Sequence, residues 1–227
     1  MALPLSGPRL PPARGAASHL VVLCHGYGAD GNDLIGLAPH WQRMLPSVAF
    51  AAPNAPQRCA GSPSGHQWFP ISRIDPHEMG KGVESAAAPL NAFLDAELAR
   101  LELAPDRLAL VGFSQGTMMV LHVGLSRPAK PACIVGYSGM LAGAAPALGA
   151  DAPPILLVHG DADPMIPVGA LFDAAAQLGQ AGACVRWHVS PGVGHAIDET
   201  GLGLGGLHLT MALRGMLARR EQVSCPL

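Results

Sequence analysis

The sequence predicts an α/β fold: a mostly parallel central sheet with helices on both faces, in a single domain spanning residues 1–227. Three observations predict it. Near-continuous apolar runs alternate with segments of helical periodicity, the pattern of strands buried on both faces and joined by crossover helices. The length of 227 residues suits one α/β domain and is enough to bury roughly 70% of the unfolded surface. Charged residues are 13% and hydrophobic residues 49% of the chain, the opposite of the balance that disorder requires.

The apolar runs lie at 20–24 (LVVLC), 48–52 (VAFAA), 108–111 (LALV), 133–135 and 155–158 (ILLV), with a further strand pattern at 185–189. Between them, Val83, Ala87, Leu90, Leu94, Leu98 and Leu101 recur at spacings of three and four. They mark one buried helical face, with Asp95, Glu97 and Glu102 off that stripe. Pro89 sits inside the pattern and is expected to kink the helix or delay its start. Residues 33–45, 115–126, 168–178 and 205–220 are the other predicted helices. A Pro-rich segment, 1–19, precedes the first strand, and 221–227 form a tail. Residues 53–80 read as a long irregular loop, with Trp68 and Phe69 in its middle. An aromatic pair in such a loop argues for packing, either as a substrate-pocket wall or as a cover over the sheet.

Composition bounds the function. A net charge of −2 gives no basic stripe, so no nucleic-acid partner is expected. The five cysteines, Cys24, Cys59, Cys133, Cys184 and Cys225, are odd in number, widely spaced and form no C-x-x-C pair. They predict small core hydrophobes and neither a disulfide framework nor a metal site. No continuous apolar signal region precedes residue 20, and no run approaches the ~18 apolar residues of a membrane span. A soluble, cytoplasmic protein with no transmembrane segment is the expectation.

The strongest chemical signal is LALVGFSQG, 108–116: a strand, then G-x-S-x-G, then a helix. A nucleophile on a sharp strand-to-helix turn adopts a strained backbone, and small residues at Gly112 and Gly116 let strand and helix approach. Ser114 then projects its hydroxyl above the sheet. The amide of Gln115 points at a developing oxyanion. A serine hydroxyl needs a base, and the base needs an orienting acid.

The strand 155–158 opens into HGDADPMIP, where Asp161 and Asp163 compete for the acid role. Asp163 is favoured because Pro164 fixes its backbone and it lies further from the strand end. Asp161 better suits a hydrogen bond to the turn. Of the histidines after Ser114, His122 lies on the elbow helix, His188 within a strand pattern and His208 on the last helix. His159 ends a strand and reads as a structural hydrogen-bonder. His195, in the Gly-rich loop PGVGHAI, can reach back over the sheet edge and is the predicted base. The strand 20–24 opens into H-G-Y-G, whose Tyr27 amide is the second oxyanion donor, with His25 holding the loop.

The ordered set HGYGADGNDL, APNAP, QWF, GFSQG, HGDADPMIP and GVGH resembles the phospholipase/carboxylesterase family of α/β-hydrolases, which includes bacterial carboxylesterases and acyl-protein thioesterases. The resemblance runs from about residue 20 to residue 215. It implies an α/β-hydrolase fold with no large cap domain, Ser114, Asp163 and His195 as triad, and oxyanion donors at Tyr27 and Gln115. No cofactor or metal is implied, and a homodimer is an option among relatives. The chain departs from the family pattern at Thr117, where a second Gly is usual. It departs also at Pro70, which follows Trp-Phe in place of an Asp, and at Tyr27, where many relatives have Leu.

The expected activity is hydrolysis of short- to medium-chain carboxylic esters through an acyl-enzyme, in a pocket lined by Trp68, Phe69, Met165 and Ile166. The same chemistry fits an acyl-protein thioesterase or a lysophospholipase. A dienelactone hydrolase fits less well, because that family uses a Cys nucleophile. A catalytically inactive hydrolase fold serving as a binding module is the non-enzyme alternative.

Overall fold

The computed structural model describes residues 4–62 and 64–217; the predicted tail 221–227 and Cys225 lie outside them. Nine strands are present among the described residues: β1 (Arg9–Leu10), β2 (His19–Cys24), β3 (Val48–Ala51), β4 (Gln57–Arg58), β5 (His66–Gln67), β6 (Leu108–Phe113), β7 (Cys133–Tyr137), β8 (Ile155–Gly160) and β9 (Val185–Ser190). Seven form the central sheet in the order β1-β3-β2-β6-β7-β8-β9. Only β1 runs antiparallel to its neighbour; the other pairs are parallel.

The apolar runs pair into this sheet because each has hydrophobic side chains on both faces. Leu20, Val22, Leu108, Leu110, Ile134, Ile155 and Leu157 pack on one side with α3 (Pro76–Arg100), α4 (Gln115–Ser126) and α5 (Gly169–Gln180). Val21, Leu23, Ala109, Val111, Val135 and Leu156 pack on the other with α1 (Gly31–Ile35), α2 (Ala38–Gln42) and α6 (Glu199–Leu213). Each such buried aliphatic side chain contributes about 1.5–3 kcal/mol relative to exposure. Cys24, Cys59 and Cys133 are buried and Cys184 is half-buried.

Several expectations need correction. The helix marked at 83–101 starts at Pro76, because the Asp75 side chain caps the amides of His77 and Glu78 and Pro76 suits the first turn. Pro89 neither ends nor delays it. Glu97 is not on a solvated face: it is buried between Arg9 of β1 and Arg100, at 2.6 and 2.7 Å. Burial raises its carboxyl, but the two guanidinium hydrogen bonds outweigh that and hold it low. The Pro-rich N-terminal segment is thereby fastened to the sheet edge and to α3.

The segment 53–80 is not structureless, since β4 and β5 pair within it and α3 absorbs its end. The predicted 33–45 helix is two short helices. The last helix begins at Glu199 rather than 205, capped by Asp198, which accepts from Gly201 N. Its glycines permit close packing: a Cβ on Gly205 would collide with the Tyr137 hydroxyl, which donates to the Gly201 carbonyl at 3.1 Å.

Candidate active site

The strand order places a topological switch between β2 and β6. From β2 the chain moves outward to β3, and it then returns to β6 and proceeds the other way. In open α/β sheets, ligands bind beyond the carboxyl ends of the strands at such a point. The His25–Gly28 loop leaves β2 there and the elbow leaves β6. The two loops touch: a Cβ on Gly26 would lie 3.3 Å from Ser114 Cβ.

Ser114 has φ 54° and ψ −118°, a conformation that costs a non-glycine residue energy. The surroundings over-determine it. Ser114 N donates to Tyr137 O at 2.9 Å. A Cβ on Gly116 would collide with the Cys24 carbonyl, and one on Gly112 with the Gly116 backbone, so both glycines are required. Thr117 Oγ1 accepts from Tyr137 N at 3.0 Å, and its single proton faces Tyr137 O and Gly112 O at 2.8 and 2.9 Å. The residue that departs from the family pattern therefore ties the elbow to β6 and β7.

Gln115 is the first residue of α4, so its amide has no acceptor within the helix. Its buried side chain accepts from Trp68 N at 2.9 Å and donates to Phe69 O at 2.8 Å. On the facing loop, His25 is fully buried. Its Nε2 accepts from Ala55 N at 3.0 Å, which leaves the proton on Nδ1 to donate to Gly26 O at 2.7 Å. Burial lowers its pKa and so favours this neutral form. Trp68 Nε1 donates to His25 O at 3.0 Å. The loop that presents the Tyr27 amide is thus anchored through His25.

His195 Nδ1 donates to Asp163 Oδ2 at 2.7 Å. The other carboxylate oxygen accepts from the amides of Met165 at 2.8 Å and Ile166 at 3.0 Å. Burial raises the Asp163 carboxyl, but the hydrogen bonds from His195, Ile166 and Met165 together outweigh it and leave the group below the ordinary carboxylate range. His159 Nε2 lies 3.3 Å from the same Oδ2. Asp161 takes a different place: it accepts from Gly192 N at 2.6 Å and ties the histidine loop to the end of β8. The Phe113 ring packs beside His195 with centroids 4.9 Å apart.

A cavity of about 310 Å³ opens at Ser114, lined by Tyr27, Leu34, Phe113, His195 and Ile197 among others, with Asp33 as its carboxylate. The predicted pocket residues are not its walls. Trp68 and Phe69 are fully buried beneath the His25–Gly28 loop and against Gln115 and Gly82. Ile166 is buried in the acid turn, and Met165 is exposed beside it. The aromatic pair covers the sheet because its backbone and indole polar groups are taken up by Gln115 and His25. Leu34, Phe113 and Ile197 carried no signal beyond being apolar neighbours of motif residues. The His159–Asp163 contact had one: two polar residues four apart across the end of a buried strand.

A serine on a strained elbow and an imidazole whose Nδ1 is held by a buried carboxylate, both lining one largely apolar cavity, form the arrangement of a serine hydrolase on an α/β-hydrolase fold. The comparisons with known proteins agree. The phospholipase/carboxylesterase family model matches residues 7–211, and the chain belongs to that family. It is similar to esterase YpfH of Escherichia coli (strain K12), 28% identical over 193 residues, covering 85% of this chain and 82% of that protein. It is also similar to acyl-protein thioesterase 1 of Schizosaccharomyces pombe, 34% identical over 157 residues, covering 65% of this chain and 69% of the other. Among solved structures, esterase PE8 superimposes with a TM-score of 0.84 at 40% identity, covering 95% of this chain and all of that one. No described helix is long and apolar enough to cross a membrane. No described cluster of three or more His, Cys, Asp or Glu could hold a metal ion.

Proposed function

We propose that the protein hydrolyses short- to medium-chain carboxylic esters through an acyl-enzyme on Ser114. The observation that carries this reading is that Ser114 and His195 line one cavity while Asp163 occupies His195 Nδ1, leaving Nε2 for the serine. Ser114 Oγ attacks the ester carbonyl carbon as His195 Nε2 takes the hydroxyl proton. The Tyr27 and Gln115 amides donate to the oxyanion of the tetrahedral intermediate. That proton passes to the alkoxide as the carbonyl–oxygen bond breaks. Water, activated by the same imidazole, then releases the carboxylic acid and restores the serine. Asp163 holds the imidazole tautomer and stabilises its charged form throughout.

Chain length follows from the cavity. A volume of about 310 Å³ lies at the low end of ligand pockets, which run from about 300 to 1,000 Å³, and so accommodates modest acyl or alcohol groups. A thioester of an acylated protein is the second reading, favoured by the similarity to acyl-protein thioesterase 1. The same reading assigns the enzyme to the cytoplasm, on its odd, widely spaced cysteines. It keeps a homodimer as the assembly that the family resemblance offers.

Labelling with a reactive organophosphate, followed by peptide mass spectrometry, tests the acyl-enzyme. A single adduct on Ser114 that is absent from Ser114→Ala is expected; an adduct elsewhere, or none, contradicts the proposal.

A further inference from the structure

We propose that His159 is a positioning residue for the acid of the site, steadying Asp163 by packing against its carboxylate and by holding, through a proton on Nε2, the Ile166 peptide that donates to it. The inference rests on the serine-hydrolase reading above and extends it to a residue with no part in the acyl-transfer steps. His159 ends β8, and its side chain is 1% exposed against 0% for Asp163. Its Nε2 lies 2.8 Å from the carbonyl oxygen of Ile166. A carbonyl only accepts, so Nε2 bears the hydrogen. Asp163 Oδ2 lies 3.3 Å from the same Nε2, so the imidazole packs against the carboxylate while its proton goes to the carbonyl.

The result is a closed circuit. Ile166 donates its N–H to Asp163 Oδ1 at 3.0 Å and receives His159 at its carbonyl. His159 in turn reaches the other carboxylate oxygen. Asp163 is therefore held by hydrogen bonds on both oxygens, from the Met165 and Ile166 amides on Oδ1 and from His195 on Oδ2, and His159 both packs against Oδ2 and fixes the peptide of one of those donors. Without the His159 donor, the Ile166 carbonyl loses its partner, the peptide whose N–H holds Oδ1 is less restrained, and the imidazole packed against Oδ2 is gone. The carboxylate can then rotate about its terminal torsion, which is broad and weakly restrained by sterics, and carry the imidazole away from Ser114. Misplacement by about 1 Å costs up to about 10²-fold in rate.

The test compares His159→Leu, which keeps volume and loses the donor, with His159→Gln, whose side-chain amide reaches the place of Nε2. Steady-state hydrolysis of p-nitrophenyl butyrate, thermal unfolding, and the downfield proton resonance of the His195–Asp163 hydrogen bond are read for each. The proposal expects kcat of His159→Leu to fall about 10- to 100-fold with KM within about twofold. The downfield resonance is expected to shift or broaden, and His159→Gln to recover most of both. A His159→Leu protein with wild-type kcat and resonance but a lowered melting temperature overturns it, since His159 then only holds the turn. If His159→Leu does not fold, His159→Gln against the shorter His159→Asn decides: a kcat advantage of Gln supports positioning, and equal values overturn it. Wild-type protein without turnover or Ser114 labelling overturns this inference together with the reading on which it rests, a result distinct from any difference among the His159 variants.

Discussion

Cys24 and Gly112 are register partners on adjacent parallel strands, so β2 and β6 end within one residue of each other at the switch point of the sheet. One residue beyond that pair the chains diverge into the His25–Gly28 loop and the Phe113–Gly116 elbow. Strand pairing brings the Gly26 loop into contact with the Ser114 elbow. Catalytic geometry built this way depends on backbone register, and backbone clashes at the elbow are expected to do more damage than most side-chain losses.

Gly116→Ala tests that dependence. Its Cβ would collide with the Cys24 carbonyl, which belongs to a buried strand and cannot move aside. A loss of about 3 kcal/mol or more is expected. Denaturant unfolding measures it; a variant of wild-type stability would show that the elbow is looser than described.

The two carboxylates of the acid loop separate cleanly. Asp163→Asn removes the acceptor that fixes His195 and is expected to lower kcat by about 10⁴ while leaving KM within a few-fold. Asp161→Asn weakens the bond to Gly192 N and is expected to cost about 1–3 kcal/mol of stability and less than about tenfold in kcat. Reversal of the two kinetic effects would move the acid role to Asp161.

His208 predicts a pH effect on folding. Burial lowers its pKa to about 4, against a weak pull upward from the Pro154 carbonyl and with the charge of Arg186 adding to the fall. The unfolded imidazole titrates near about 6.5. A depressed histidine is protonated first in the unfolded state, so its contribution is fully present above about 6.5 and is lost as pH falls toward 4. The loss is on the order of 3 kcal/mol across that window. Urea midpoints at pH 7 and pH 4.5, with His208→Gln alongside, measure it. The difference is expected to shrink in the variant; an unchanged difference assigns it to other groups.

Much of this architecture was legible in the sequence because parallel strands buried on both faces leave uninterrupted apolar runs, and those at 20–24, 108–111 and 155–158 fall within β2, β6 and β8. The elbow was legible because G-x-S-x-G carries a backbone requirement, here met by Ser114 at φ 54°. Long-range pairing was not. Glu97 looked solvated because its partner Arg9 is 88 residues away. Trp68 and Phe69 looked like pocket walls because nothing local reveals that Gln115, more than 40 residues on, holds their backbone. The start of α6 was missed because glycine opposes helix in isolation, whereas here Gly201 is held by the Asp198 cap and packs too close to Val158 for a side chain.

The central claim is that Ser114 performs ester hydrolysis in a confined cavity. Hydrolysis of p-nitrophenyl esters from acetate to palmitate, with Ser114→Ala measured in parallel, tests it most directly. Turnover that is highest on the short and medium chains and abolished in Ser114→Ala is predicted. Activity that survives in Ser114→Ala, or kcat/KM that climbs steeply toward palmitate, would contradict it.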